Sequence, residues 1–261
     1  MRVFAVANQK GGVGKTTTAV TLAGLLSQRG YRTLMVDLDP HGSLTTYFGF
    51  DPDTLDHSVY SLFQNAPHPD PAGLIRPTRF ANLHLLPASS ALATLDRQLG
   101  AREGMGLVLA RALAQCGQQF DAAFVDCPPV LGVLMVNALA ASNELLIPVQ
   151  TEFLAMKGLE RMLHTLGMIL RARKRPLPYV VVPTMFDRRV QSSLESLTAL
   201  RDRFPDVLAK TVIPVDTQFR EASQHGAPLN YVNPQARGVI AYTALLNQLF
   251  AGGEPAVRTG S

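Results

Sequence analysis

The sequence predicts a single-domain α/β protein built on a mostly parallel, twisted sheet with helices on both faces. Short apolar runs alternate with longer segments of helical period along the whole chain. A glycine-rich loop, residues 9–17, joins the first such run to the first helical segment. The 261 residues, 47% hydrophobic and 17% charged, can bury a sizeable core, and no linker is long enough to part them into two units. The domain is expected to span 1–250, with a Gly-, Pro- and Ser-containing tail at 251–261 that frays.

Taken in order, RVFAVAN (2–8) reads as a strand covered on both faces, and 15–29 as the helix after the loop. RTLMVDLD (32–39) is the second strand. Residues 51–80, rich in Pro and Asp, read as an irregular excursion. LHLLPA (83–88), AAFVDCP (122–128), ELLIPVQ (144–150), YVVVPT (179–184) and TVIPV (211–215) are the remaining strands. Helical period places helices at 91–97, 104–116, 132–141, 153–173, 191–203 and 238–250. Right-handed crossovers would then gather the carboxyl ends of the strands along one edge, where ligands bind in such sheets.

Net charge is +4 and the isoelectric point about 9.3, which permits a polyanionic partner without requiring one. No apolar run reaches the ~18 residues of a membrane span, and a strand-like segment starts at once, so a cytoplasmic protein is expected. Cys116 and Cys127 match no metal-ligand spacing and read as buried small hydrophobes.

The loop QKGGVGKTT (9–17) nearly matches the phosphate-loop pattern G-x-x-x-x-G-K-[ST], with Gln9 in place of the first glycine and an additional lysine at Lys10. Backbone N–H groups of Gly11, Gly12, Val13 and Gly14 can converge on an anion, and the helix that follows adds the positive end of its dipole. Lys15 would reach the β and γ phosphates, Thr16 would offer its hydroxyl to Mg²⁺, and Thr17 extends the cradle. Lys10 sits at the far end of the loop, where its side chain points away from its own nucleotide. A role in phosphate chemistry would take it across an interface, as an arginine finger goes. Asp39, in VDLDPHGS (36–43), and Asp126, ending AAFVD, are carboxylates at the ligand edge; Asp39 could serve catalysis or merely cap a helix, and Asp126 could serve the site or end a buried strand by chance. Asp37 is expected on the opposite side of the pleat.

KGGVGKTT (10–17) is similar to the deviant phosphate-loop signature of the ParA/MinD ATPases, which are P-loop NTPases. That resemblance runs from residue 2 to about residue 250. It implies that Lys10 enters the partner's site in a nucleotide-sandwich homodimer, and that ATP, ADP and Mg²⁺ are the cofactors. Asp39 resembles the switch I aspartate that orients the attacking water, and Asp126 the Walker B aspartate. With Thr16 they form the implied metal set, and Lys10, Lys15 and Asp39 the implied catalytic set. PTMFDRR (183–189) and VIPVDTQFREA (212–222) resemble the segments that contact adenine, which nominates Met185, Asp187, Pro214 and Asp216. PVQTEFLAMKGL (148–159) is similar to a further signature. The family usually has Gln where this chain has His41.

Within the family the chain resembles the small, Soj-like ParA type. Its last helix, GVIAYTALLNQLF, contains no Lys or Arg, unlike the membrane-binding helix of MinD, so membrane insertion is not expected. The resemblance implies non-specific DNA binding by exposed cations: Arg188, Arg189, Arg220 and Arg237, with RARKR (171–175) as a further basic run. DPHGSLTTYFGFD (39–51) and LPASSALATLDRQ (86–98) resemble the chemotaxis-associated group called ParC. That points to chemoreceptor arrays at the cell pole as cargo, with an adaptor such as ParP. The alternative is chromosome or plasmid partition on the nucleoid with a ParB-like partner that stimulates the ATPase. A small-molecule kinase or ligase of the dethiobiotin synthetase type is the rival from another class.

Overall fold

The computed structural model describes residues 1–66, 68–99, 104–171 and 176–251. Its strands are β1 (Arg2–Val6), β2 (Thr33–Asp37), β3 (Arg76–Pro77), β4 (Leu83–Leu86), β5 (Ala122–Asp126), β6 (Glu144–Gln150) and β7 (Tyr179–Thr184). They form one sheet in the order β3-β4-β2-β5-β1-β6-β7, parallel except for the β3–β4 pair at the edge. The glycine-rich loop leaves β1, which lies between β5 and β6, so it emerges near the middle of the carboxyl edge.

Alternation along the strands feeds two separate cores, which is why the strand sequences are apolar without interruption. Val3 and Ala5 of β1, with Val36, Ala123 and Val125, pack on one face. That face is covered by α3 (Val59–Gln64), α4 (Leu92–Leu99), α5 (Val108–Gln115), α6 (Val133–Ala141), α7 (Phe153–Leu170) and α8 (Gln191–Arg203). Phe4 and Val6 face the other way, with Met35, Phe124 and Leu146, under α1 (Lys15–Gln28) and α11 (Arg237–Leu249). The rings of Phe4 and Phe124, in register on neighbouring strands, stack 5.0 Å apart, a geometry worth ~1 kcal/mol beyond area burial. Both cysteines are buried in the first core, as expected.

The structure departs from the sequence reading in four places. Residues 211–215 form no strand: Ile213 donates to the Pro183 carbonyl, and Phe186 and Pro214 make an isolated bridge. Pro214 has no N–H with which to continue a ladder. The excursion at 51–80 holds the short edge strand β3 and the helix α3. That helix is capped by Ser58, whose Oγ accepts the Tyr60 N–H while Ser61 Oγ accepts the Ser58 N–H. A serine in the third position is weaker punctuation than the Glu or Gln that usually marks such a start. Three short helices were not foreseen: α2 (Ser43–Tyr47), α9 (Gln218–Gln224) and α10 (Leu229–Val232). The stretch read as a helix at 104–116 begins as a 3₁₀ turn, Met105–Leu107, before α5. Most of the basic run, residues 172–175, and the tail from 252 lie outside the described residues.

Candidate functional site

The loop after β1 adopts the conformation its glycines allow. Gly12 and Gly14 sit at φ +76° and +92°, and neither has a heavy atom within 4 Å of where a Cβ would stand. Glycine is therefore demanded by backbone conformation rather than by space. Gly14 is the N-cap of α1, no side chain caps that helix, and its first turn holds no acidic residue. Its leading N–H groups are thus left for an anion. Lys15, at the first helical position, is buried.

Side chains from four other segments hold the loop. Asn8 accepts the Lys10 N–H (3.0 Å) and donates to the Pro148 carbonyl (2.7 Å). Thr184 Oγ1 donates to the Val13 carbonyl (2.9 Å), and Thr18 Oγ1 donates to that of Gly14 (2.7 Å) while contacting the Tyr242 hydroxyl (2.8 Å). None of these supports was foreseen, because each reaches a distant part of the chain: Asn8 to Pro148, Thr184 to Val13 and Thr18 to Tyr242.

On the other side of the loop two carboxylates meet. Thr16 Oγ1 donates to Asp126 Oδ2 at 2.6 Å, while Asp126 Oδ1 is buried with no hydrogen-bond partner. Asp37 pairs in register with Asp126 across β2 and β5, so the two side chains share a face. The expectation that Asp37 turns away from the site is wrong. Its carboxylate accepts from the Thr45 N–H and hydroxyl and from the Asp39 N–H, which ties α2 and the residue-39 turn to the end of β2. Asp39 lies beyond the strand end. Its Oδ1 accepts the His41 N–H (3.0 Å) and faces the His41 ring Nδ1 (2.8 Å). Burial pushes the Asp37 and Asp126 carboxyls above the usual range; the charge of Asp37 adds to the rise at Asp126, against the Thr16 hydrogen bond and Lys15.

An orphaned, desolvated carboxylate oxygen beside a threonine hydroxyl fits a hard divalent cation. Among the described residues no group of three or more His, Cys, Asp or Glu side chains has metal-holding geometry. Thr16 and Asp126 would hold such a cation, while Asp39, the third residue of the implied set, is engaged with the His41 N–H and ring.

Beside the loop opens a cavity of about 340 Å³, walled by Val13, Gly14, Thr17, Met185, Pro214 and Asp216 among others. Asp216 acts there as a brace, accepting the Gln218 N–H with one oxygen and the Gly238 N–H with the other, which joins α9 to α11. Met185 holds φ +53° at the cavity edge, a left-handed conformation costing ~1–2 kcal/mol in a non-glycine residue. Asp187 does not line the cavity. Its carboxylate is bound by Arg189 through Nε (2.9 Å) and Nη2 (2.7 Å), which holds it well below the usual carboxylate range, and the charge of Arg237 contributes. Arg188, Arg189, Arg220 and Arg237 are all exposed, and Arg220 stands at the cavity wall. Lys10 Nζ donates to Gln150 Oε1 (3.1 Å) and is ion-paired with Glu152 of its own chain.

Comparison with known proteins agrees with this geometry. The family described as "AAA domain" (AAA_31) matches residues 1–178. The chain is 36% identical over 253 residues to the sporulation initiation inhibitor protein Soj of Bacillus subtilis, covering 97% of this chain and 99% of that protein. It is 32% identical over 256 residues to the chromosome partitioning protein ParA of Myxococcus xanthus, covering 97% and 89%. A solved structure of cobyrinic acid a,c-diamide synthase from Mycobacterium smegmatis with bound ADP and magnesium is 34% identical, with a TM-score of 0.82 and full coverage of both chains.

Proposed function

Since the chain belongs to the AAA-domain family that includes the Soj and ParA proteins, we propose that it is a Mg²⁺-dependent ATPase whose ATP-bound form is a homodimer and whose cargo is chromosomal or plasmid DNA. The observation that carries the ATPase reading is the junction of Lys15, Thr16 and Asp126 at the uncapped start of α1, with a buried carboxylate oxygen left for a cation.

Hydrolysis joins water to the γ-phosphorus and breaks its bond to the β,γ-bridging oxygen, giving ADP and phosphate. Loop N–H groups and Lys15 bind the phosphates, and Asp39 orients the attacking water. Mg²⁺, when bound, supplies charge neutralisation at the phosphate oxygens. Little covalent chemistry falls to the protein in such a transfer, so positioning and charge carry the rate. Met185, Pro214 and the backbone around Asp216 wall the base. Lys10 completes the partner's site, an exchange that two-fold symmetry makes reciprocal. Loss of the γ-phosphate releases the turns after Asp39 and Asp126, and the dimer parts.

The cargo assignment rests on the relatives. Soj and ParA above carry the names of sporulation and chromosome partitioning proteins, and neither name refers to chemotaxis. A ParB-like stimulating partner and non-specific DNA contacts by Arg188, Arg189, Arg220 and Arg237 belong to this reading. Chemoreceptor arrays are left with the resemblance at 39–51 and 86–98. No helix among the described residues is long and apolar enough to cross a membrane. A fluorescent fusion tests the cargo: redistribution over the nucleoid supports partition, and fixed polar foci that follow chemoreceptors support the array reading.

The Mycobacterium smegmatis neighbour, named as a diamide synthase, favours a second reading as a small-molecule ligase. Such an enzyme needs an acceptor pocket beside the phosphates. A cavity of about 220 Å³, walled by Thr16, Thr17, Ser43, Tyr47 and Arg220, lies beside the loop, and a larger one of about 630 Å³, walled by Arg32, His84 and Phe120, opens at the amino-terminal edge of the strands. Acceptor-free hydrolysis that rises with protein concentration favours the partition ATPase; hydrolysis that waits for a carboxylic acid and an amine donor favours the ligase.

A further inference from the structure

We propose that Glu152 is the positioning residue for Lys10: it holds the lysine ammonium in cis within a lone protomer and releases it to the partner's phosphates when the dimer forms. The inference rests on the reading of Lys10 as a trans-acting cation. Both the backbone and the side chain of Lys10 are referenced to the end of β6. Asn8 links the Lys10 N–H to the Pro148 carbonyl, and Nζ meets Gln150 and Glu152. Glu152 occupies the N-cap position of α7 in extended conformation (φ −141°, ψ 156°), yet its side chain accepts no capping hydrogen bond. An N-cap carboxylate has a local use, binding the free N–H groups of its own helix. Here it is spent on Lys10 instead. The next two residues, Phe153 and Leu154, are large apolar side chains left exposed beside the latch, a combination that marks interaction surface.

The chemistry of the exchange makes it nucleotide-dependent. One carboxylate and one amide oxygen hold the ammonium in cis. A partner carrying a triphosphate offers several anionic oxygens in a water-poor seam, where charge-assisted bonds are stronger. A partner carrying ADP offers fewer. The latch thus raises the threshold for dimerisation and ties it to the γ-phosphate.

Dimer dissociation constants measured by sedimentation equilibrium, with Mg²⁺ and a slowly hydrolysed ATP analogue, test this. Glu152→Gln should tighten the dimer roughly threefold per protomer, the scale of an exposed ion pair, and so about tenfold for two latches. Gln150→Glu, which adds a second carboxylate to the latch, should weaken it by a similar factor. Opposite signs from two single-charge changes at one lysine are not what general damage to the fold produces, and melting temperatures of the nucleotide-free variants check that both fold. In a Lys10→Ala background neither change should restore a dimer. A dimer unchanged or weakened by Glu152→Gln, or tightened by Gln150→Glu, overturns the latch and leaves the trans role of Lys10 standing. A Lys10→Ala protein that dimerises as well as wild type overturns the trans role itself.

Discussion

The two ends of the phosphate loop are built differently. At the Lys15 end the groups are enclosed: Lys15 is 8% exposed, Thr16 is bonded to Asp126, and Asp37 is fully buried behind them. The Lys10 end is a rim, where the Lys10 side chain is 42% exposed, Phe153 66% and Leu154 71%. One chain therefore supplies a finished cradle for phosphate and cation, and an unfinished surface around its second lysine. The difference teaches where chemistry is local and where it waits for a partner.

The largest expected effect breaks the finished end. Lys15→Ala should lower ATP affinity about a hundredfold or more, since it removes a buried charge-assisted contact to phosphate; isothermal titration reads it, and retained affinity would remove Lys15 from its role. Asp39→Ala should bind ATP normally while hydrolysis falls roughly a hundredfold, so that dimers accumulate. A variant that hydrolyses as fast as wild type would leave the turn after β2 without its assigned task.

A smaller effect follows from the buried carboxyls. Asp37 and Asp126 have folded-state pKa values raised above those of the unfolded chain, so the folded state binds more protons. The metal-free protein should then lose stability as pH rises from the ordinary carboxylate range, near 4, through the raised values. Thermal melts between about pH 6 and about pH 8.5 should show a decline that Asp126→Asn reduces and Mg²⁺ with ATP offsets. A flat profile without metal would contradict the burial argument. The smallest effect concerns the rim cations. Arg220→Glu should weaken DNA retention at low salt and reduce the slope of log affinity against log salt by about one, and unchanged retention would move any DNA surface elsewhere.

Much of this was legible because it is local. Lys15, Thr16 and the loop glycines are contiguous, and the strand-loop-helix order around them follows from hydrophobic period alone. What escaped depends on distant parts of the chain. The bonds of Thr184 to Val13 and of Thr18 to Tyr242 join segments more than a hundred residues apart. The face of Asp37 is settled by its register with Asp126 on another strand. Pro214 defeated an apolar run that otherwise reads as a strand, and Asp187, inside a segment that resembles an adenine contact, is occupied by its neighbour Arg189. The cis partners of Lys10 lie 140 and 142 residues away, so no local pattern announces them.

Light scattering after gel filtration, with Mg²⁺ and a slowly hydrolysed ATP analogue, tests the central claim most directly. Wild-type protein should elute at twice its 28.2 kDa chain mass and Lys10→Ala at the mass of one chain. A wild-type protein that stays single with nucleotide bound, or a Lys10→Ala protein that pairs equally well, would contradict the account.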